Sequence, residues 1–247
     1  MFFQADPGTS WAGSIAACME YPHNRPYTAD DLVRIITLLR DPVNGCPWDT
    51  VQTHTSIRMN FLEEAYEAVD ALDLDDPVLM CEELGDVLMQ VAFHTCMEQE
   101  TGRFTWEQVC DGVCQKLIER HPNIFGTQPG YEGITDWDAL KNKEKGRRTL
   151  ADDLESVPRA MPALMRAAKL QKRAARHGAA LQGADAAALA DAAENLQTAQ
   201  PASAQAEQAV GELLFAAANL ARQAGVDPEQ ALQKANEAFC TATGPVA

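Results

Sequence analysis

Long apolar segments are missing from this sequence. No run of apolar residues approaches the roughly 20 residues that a membrane-spanning helix needs. The first 27 residues also lack the basic start and the continuous apolar core of a secretory signal peptide. We therefore expect a protein that makes no membrane contact and stays in the cytoplasm.

Basic residues are scarce as well. The 247 residues include 20 Lys and Arg against 36 Asp and Glu, which gives a formal net charge of -16. Proteins that hold DNA or RNA independently of sequence use Lys and Arg to displace counterions from phosphates. The charge therefore argues against a nucleic-acid polymer as a partner. A small anionic ligand remains possible if metal ions supply positive charge.

Paired cysteine motifs are also absent. The seven cysteines are an odd number, and they lack the CxxC spacing of a zinc site or the regular spacing of a disulfide framework. Reduced thiols in a cytoplasm fit this pattern best.

No segment carries a strong β-strand signal, and apolar residues recur instead at helical spacing. Proline, glycine and capping residues divide these stretches into helices joined by short turns. We predict an all-α helical-bundle architecture. The predicted helices run from 28 to about 40, from 53–56 to 72, and over 77–100, 106–120, 137–145, 161–176, 186–198, 205–223 and 228–239.

A faint internal repeat divides the chain. Gly85-Asp86-Val87-Leu88 resembles Gly211-Glu212-Leu213-Leu214, and the composition becomes Ala-rich from Leu150 onwards. We predict two diverged tandem helical units, a first domain over residues 28–148 and a degenerate second copy over 149–247. Residues 1–27 show no sustained period and are predicted to form a loose arm.

Acidic residues are concentrated on two consecutive predicted helices. Glu63, Glu64 and Glu67 belong to the first of them, and Glu82, Glu83 and Asp86 to the second. Residues three or four apart share a helix face, so Glu64 with Glu67 and Glu83 with Asp86 each form a double carboxylate. A short turn makes the helices antiparallel neighbours, and the four carboxylates can converge. Bound Mg²⁺ or Mn²⁺ would neutralise them, which points to phosphate chemistry.

Two alternatives to this metal site remain open. Acidic helix positions most often form a solvated face. Against that, Ala209 and Glu212 occupy the positions of Glu83 and Asp86 in the second copy, which keeps the same apolar frame. A di-iron carboxylate bundle would need a Glu-x-x-His pair on two helices, and neither Glu64 nor Glu83 has that histidine. We interpret His94 as a partly buried, hydrogen-bonded histidine.

The few basic residues form groups downstream of the acidic helices. Lys116 and Arg120 lie one turn apart, and Lys141 follows Trp137 closely. They are either solubilising charges at helix ends or a clamp for triphosphate oxygens opposite the metal. In the second interpretation Trp48 or Trp137 stacks on a base.

Four motifs together resemble the MazG family of nucleotide pyrophosphohydrolases. They are LLRDPVNGCPWDTVQTH, FLEEAYEAVDAL, EELGDVLMQVAFH and KLIERHPNIFG. Two later stretches, VPRAMPALMRAAKLQKRAARHG and GELLFAAANLARQAGVDPEQALQKANEAF, also resemble the second domain of full-length members. As a set these motifs are specific, whereas EExxE alone is not.

The resemblance implies roles for individual residues. It implies that Glu64, Glu67, Glu83 and Asp86 bind Mg²⁺, for which Mn²⁺ can substitute, and that Glu63 orients or activates water. It also places near the phosphates or the nucleotide a set of four residues, Lys116, Arg120, Trp137 and Lys141. In the second half EExxE and ExxD have decayed, so we do not expect that half to be catalytic.

The resemblance further implies a homodimer that hydrolyses NTPs or dNTPs to the monophosphate and pyrophosphate, in the manner of a nucleotide-pool housecleaning enzyme. A different hydrolytic outcome is one alternative. Another is a nucleotide-binding sensor or interaction protein that binds Mg²⁺-NTP without turnover.

Overall fold

The computed structural model describes residues 20–23, 25–126, 145–146 and 149–244. Every regular element within these ranges is a helix, which confirms the predicted all-α class. The chain divides into two compact units, Met1–Gly133 and Ile134–Ala247. Most of the predicted arm, the predicted helix over 137–145 and several residues just before the predicted domain boundary at 148 lie outside the described residues.

Six helices of the first unit lie within the described residues; four are close to predicted ones, and two short ones, over 47–50 and 122–125, were not predicted. The six are α1 (Ala29–Leu39), α2 (Pro47–Thr50), α3 (Arg58–Asp73), α4 (Pro77–Glu100), α5 (Trp106–Arg120) and α6 (Pro122–Phe125). Capping side chains fix three of these starts. Thr28 and Thr105 each form a capping box, and the Asp76 carboxylate accepts hydrogen bonds from the first turn of α4.

The start of α3 differs from the prediction. The helix begins at Arg58 rather than at residues 53–56, and no side chain caps it. The Thr53 backbone N–H donates to Ser56 Oγ over 2.9 Å, and the Ser56 N–H donates to Thr53 Oγ1 over 3.2 Å. These bonds hold the segment in a turn, because Ser and Thr side chains offer the backbone an alternative to the helix.

Helices α3 and α4 form an antiparallel hairpin, joined by residues 74–76, and this is the most extensive helix pair of the first unit. The core lies at one end of the hairpin, around the C-terminal half of α4. It is formed by Val33, Ile36, Ile57, Ala92, Phe93, Cys96, Met97 and Trp106. The N-terminal half of α4 contributes no residue to this cluster. Polar side chains there can remain in reach of solvent and ligands.

Glycine is required at one turn next to this core. The Gly45 N–H donates to the Asp41 carbonyl over 2.9 Å. A Cβ on Gly45 would lie 2.4 Å from the carbonyl oxygens of both Leu39 and Asp41. The loop between α1 and α2 can therefore close only with a residue that has no side chain.

The second unit is also built around a helix hairpin. It contains α7 (Leu150–Glu155), α8 (Ala163–Arg176), α9 (Ala186–Thr198), α10 (Ala204–Gln223) and α11 (Pro228–Thr243), of which α9 and α10 pair most extensively. Gly211 lies on the second helix of this hairpin, as Gly85 does in the first. Ala209, which matches Glu83, is only 2% exposed. A carboxylate at that position would be buried in the hairpin.

Charged groups fasten the first two helices of this unit. The Arg173 guanidinium donates to the Asp153 backbone carbonyl over 2.5 Å and pairs with its carboxylate over 2.9 Å. Asp153 and Arg173 are both buried, so each charge needs the other. Among the described residues, no helix combines the length and apolar character needed to cross a membrane.

Candidate active site

Three carboxylates meet where α3 packs against α4. Glu64 belongs to α3, whereas Glu83 and Asp86 lie three residues apart on α4 and share a helix face. Ligand oxygens of the three side chains lie within 4.8 Å of one another, and all three residues are partly buried. The structure thus brings together three of the four residues that the sequence predicts as metal ligands.

Burial and neighbouring charges raise the pKa of two of these acids. Burial raises the pKa of Glu64, and the charges of Asp86 and Glu67 raise it further. Burial likewise raises the pKa of Glu83, and the neighbouring charges of Glu67 and Asp86 act in the same direction. Full ionisation of the cluster is therefore unfavourable unless a positive charge is brought to it.

This donor set suits a divalent cation. Carboxylate oxygens are hard ligands, and three of them within a few ångströms of one another repel until a cation neutralises them. No histidine or cysteine joins the group among the residues described. Hard ions are therefore a better match for it than ions that prefer nitrogen or sulfur.

The other two predicted acids lie beside this group. Glu67 is exposed and outside the set of three, but it shares a hydrogen bond with Glu64. Glu63 is exposed and precedes Glu64 by one residue, which turns its side chain to a different face of α3. Glu67 as a ligand and Glu63 as a water-orienting residue stay predictions.

Gln90 is a member of the site that the sequence analysis missed. It lies one turn after Asp86 on α4 and is only 7% exposed. Hydrogen bonding from its side chain opposes the rise in the pKa of Glu64. Within the described ranges, its buried Oε1 has no hydrogen-bond partner. The i+4 spacing from Asp86 was the available signal, but Gln90 carries no charge.

The predicted substrate-binding residues that the structure describes lie on two other helices, α2 and α5. Lys116 is exposed on α5, and Arg120 is partly buried in the last turn of that helix. Trp48 is exposed on α2, and its ring meets Phe93 edge-on with centroids 6.5 Å apart. Two further predicted contacts, Trp137 and Lys141, lie outside the described residues.

Arg40 fastens the segment that carries Trp48 to α4. Its guanidinium donates to both carboxylate oxygens of Glu100, over 2.5 and 2.8 Å. It also donates to the carbonyl oxygens of Asp49 and Gln52, over 2.7 and 3.2 Å. Its Cζ lies 5.5 Å from the centre of the Phe93 ring. The position of α2 against α4 therefore depends on one buried arginine.

Two histidines form a polar network beyond Gln90. His54 Nδ1 and His94 Nδ1 are 2.8 Å apart, and His54 Nε2 lies 2.6 Å from Glu98 Oε1. Arg103 donates to the same Glu98 oxygen over 2.8 Å. The predicted partly buried, hydrogen-bonded His94 is confirmed. His54 lies before the first residue of α3 and joins this network.

Known proteins resemble this chain over most of its length. The MazG nucleotide pyrophosphohydrolase domain matches residues 52–125, which include all three clustered carboxylates. The chain is 41% identical to the nucleoside triphosphate pyrophosphohydrolase of Escherichia coli K12, over 85% of this chain and 83% of that protein. It is 39% identical to the Thermotoga maritima nucleoside triphosphate pyrophosphohydrolase/pyrophosphatase MazG, over 85% and 82% of the two chains.

A third relative is matched over a shorter range. The nucleoside triphosphate pyrophosphohydrolase of Mycobacterium tuberculosis H37Rv is 35% identical over 60% of this chain and 46% of that protein. The extent of the first two matches, together with the domain over 52–125, settles the relationship. The chain belongs to the MazG family of nucleotide pyrophosphohydrolases.

Proposed function

We propose that this protein hydrolyses nucleoside triphosphates, NTPs or dNTPs, to the monophosphate and pyrophosphate, and that the reaction depends on Mg²⁺. The observation that carries the proposal is the cluster of Glu64, Glu83 and Asp86, whose ligand oxygens lie within 4.8 Å of one another. Relatives that share most of the chain are named for this activity. A role in removing unwanted nucleotides from the cytoplasmic pool is consistent with it.

In this proposal the three clustered carboxylates hold Mg²⁺, for which Mn²⁺ can substitute, and Glu67 completes the ligand set from the edge. The bound metal supplies charge stabilisation at the phosphates and lowers the pKa of a bound water. Gln90 keeps Glu64 in place through its side-chain amide. Glu63, one residue before Glu64, orients the attacking water or accepts a proton from it.

The cationic and aromatic residues act on the substrate in this proposal. Lys116 and Arg120 hold the departing pyrophosphate, because cations placed at developing negative charge lower the barrier. Trp137 and Lys141 are proposed to contact the nucleotide as well. Trp48, anchored beside α4 through the bonds of Arg40, offers an exposed ring for stacking on a base.

We also propose that the protein works as a homodimer. On α3 a row of large apolar side chains, Met59, Tyr66 and Val69, is exposed, and so are Leu84 and Leu88 on α4. Such faces on neighbouring helices normally become buried against a partner. A second copy of the same hairpin would extend the bundle. Sedimentation of the intact chain should give twice the monomer mass, and a monomer at working concentrations contradicts the dimer.

The second unit is proposed to have no catalytic role. Ala209 and Glu212 stand where the first unit has Glu83 and Asp86, and Ala209 is buried. Glu212 is hydrogen-bonded to Gln208 over 2.8 Å. One remaining carboxylate does not make a metal site of the same kind.

The test is a product analysis. The intact protein is incubated with a panel of NTPs and dNTPs, with Mg²⁺, with Mn²⁺ and with a chelator, and nucleotides and pyrophosphate are separated by chromatography. Monophosphate with equimolar pyrophosphate, formed only with metal, is the expected result. Diphosphate with phosphate would assign a different reaction. Binding of Mg²⁺-NTP without products would favour a nucleotide sensor.

A further inference from the structure

One face of α4 connects the acidic cluster to the histidine network. Glu83, Asp86, Gln90, His94 and Glu98 follow one another at intervals of three or four residues, so their side chains form one polar stripe along the helix. The stripe faces the hairpin partner, because Gln90 interacts with Glu64 and the His94 ring lies 5.9 Å from that of Phe61 on α3.

The hydrogen bonds at the far end of the stripe relate the tautomers of His54 and His94 to the carboxylate of Glu98. Glu98 is 8% exposed, pairs with Arg103 and accepts a hydrogen bond from His54 Nε2. A carboxylate has no proton to donate, so His54 Nε2 carries the hydrogen. When both imidazoles are neutral, His54 Nδ1 carries no hydrogen and accepts the Nδ1–H of His94 over 2.8 Å. The remaining nitrogen of His94, Nε2, is consequently a hydrogen-bond acceptor.

His94 is suited to hold this state. Its ring is partly buried, and burial lowers its pKa, which favours the neutral imidazole. In the part of the chain that the structure describes, no group donates to His94 Nε2. His94 Nε2 is thus a hydrogen-bond acceptor without a donor among the described residues, on a ring that lies beside that of Phe61.

The location of this acceptor relates it to the substrate. His94 follows Asp86 by eight residues, a rise of about 12 Å along the helix axis. That separation is comparable to the span between the α-phosphate of a nucleotide and the far edge of its base. With the phosphates at the carboxylates, a nucleoside directed towards the C-terminal end of α4 would lie along Gln90, Phe61 and His94.

We propose that His94 is a specificity-determining residue whose Nε2 accepts a hydrogen bond from the nucleoside part of the substrate, and that Glu98 and His54 position it in the accepting tautomer. The donor is either an N–H of the base or a hydroxyl of the ribose. The inference rests on the proposed nucleotide hydrolysis and adds a group that selects among nucleotides. A purely structural network would instead stabilise the fold and leave all substrates equally affected.

The experiment compares kcat and KM of the wild type and His94→Phe for substrate pairs that differ in one donor. CTP against UTP moves the base donor from the C4 amino group to N3–H, and GTP against ITP removes an amino group. ATP against dATP and 3′-dATP removes each ribose hydroxyl. For one pair we expect the wild type to prefer the nucleotide that carries the donor. His94→Phe should lower kcat/KM for that nucleotide by about three- to tenfold, mainly through KM. The partner substrate should be nearly unaffected.

Four further variants keep the test decisive. Glu98→Gln can donate as well as accept, so it no longer fixes the tautomer, and the preference should weaken while the Mg²⁺ concentration at half-maximal rate stays unchanged. His23→Phe removes an exposed imidazole elsewhere and should change nothing. If His94→Phe does not fold, His94→Gln, which retains an acceptor, should keep the preference better than His94→Leu.

The possible outcomes separate the two proposals. Equal loss for both members of every pair, or no preference in the wild type, would overturn the role of His94 while leaving hydrolysis intact. Absence of any NTP hydrolysis by the wild type would instead reject the proposed function. A preference within the CTP–UTP or GTP–ITP pair identifies a base N–H as the donor. A preference within the series of ATP, dATP and 3′-dATP identifies a ribose hydroxyl.

Discussion

Replacing Glu64 by Gln should raise the stability of the metal-free protein and, at the same time, abolish NTP hydrolysis. The substitution keeps the size of the side chain and an oxygen that can accept from Gln90, but it removes one negative charge from the cluster. An oxygen of Asp86 lies within 4.8 Å of a Glu64 oxygen. At that separation the Coulomb repulsion between two carboxylates is about 1 kcal/mol in water-like surroundings and about 3.5 kcal/mol at an effective dielectric constant of 20.

Because solvent and salt screen the charges, we expect the gain in the free energy of unfolding to be near the lower of these two values. Glu64 is only partly buried, and exposed ion pairs are strongly screened. In the presence of a chelator, Glu64→Gln should therefore unfold with a free energy about 1 kcal/mol higher than the wild type, which raises Tm by about 4 °C. With Mg²⁺ at ten times its Kd, the wild type gains about 1.4 kcal/mol. The variant should gain much less and lose NTP hydrolysis.

Urea denaturation with and without Mg²⁺ measures both effects. Asp70→Asn is the matched control, because it removes one charge from an exposed position of the same helix outside the cluster. It should show the same Mg²⁺ stabilisation as the wild type. The reasoning is refuted if Glu64→Gln is less stable than the wild type in chelator, or if Mg²⁺ stabilises both proteins equally.

Three further predictions concern stability. Arg40→Ala should lower the free energy of unfolding by about 2–4 kcal/mol in urea titrations, since it leaves the buried Asp49 carbonyl and the Glu100 carboxylate without their partner; a loss below 0.5 kcal/mol contradicts this. Gly45→Ala should cost about 2 kcal/mol or more in the same assay, because its Cβ would overlap two carbonyl oxygens, and an unchanged midpoint would exclude that overlap. The rise in Tm caused by Mg²⁺ should be larger at pH 7.5 than at pH 5; equal rises would show that protons do not compete for the cluster.

The sign of the pH effect follows from the raised pKa values of Glu64 and Glu83. A carboxyl group whose pKa is higher in the folded state contributes stability at low pH and loses it as pH rises through the folded-state pKa. The metal-free cluster is therefore most unfavourable when fully ionised. Mg²⁺ restores the most stability there, whereas at pH 5 protons occupy part of the site.

Local sequence patterns were sufficient for the helices and for most of the acidic cluster. Apolar spacing, the caps at Thr28 and Thr105, and Pro77 at the first position of α4 predicted where α1, α4 and α5 begin. The spacing of Glu83 and Asp86, with a short turn before α4, was enough to place them opposite Glu64. These features depend on neighbours in the chain or on one tight connection, which the sequence displays directly.

Features that depend on contacts between distant segments were not predictable in the same way. His54 and Glu98 lie 44 positions apart, and no local period connects them. Gln90 has no charge that would reveal its role beside Glu64. The late start of α3 depends on hydrogen bonds within residues 53–56 that compete with the helix. Tertiary packing and side-chain bonding decide all three.

The most direct test of the central claim is the rate of monophosphate and pyrophosphate formation by Asp86→Asn beside the wild type, across a Mg²⁺ titration. Asp86 contributes one of the three clustered carboxylates. We expect the rate to fall by about 100-fold or more, because charge stabilisation by the metal is lost in the transition state. A variant that keeps a near-normal rate and Mg²⁺ dependence would contradict the account.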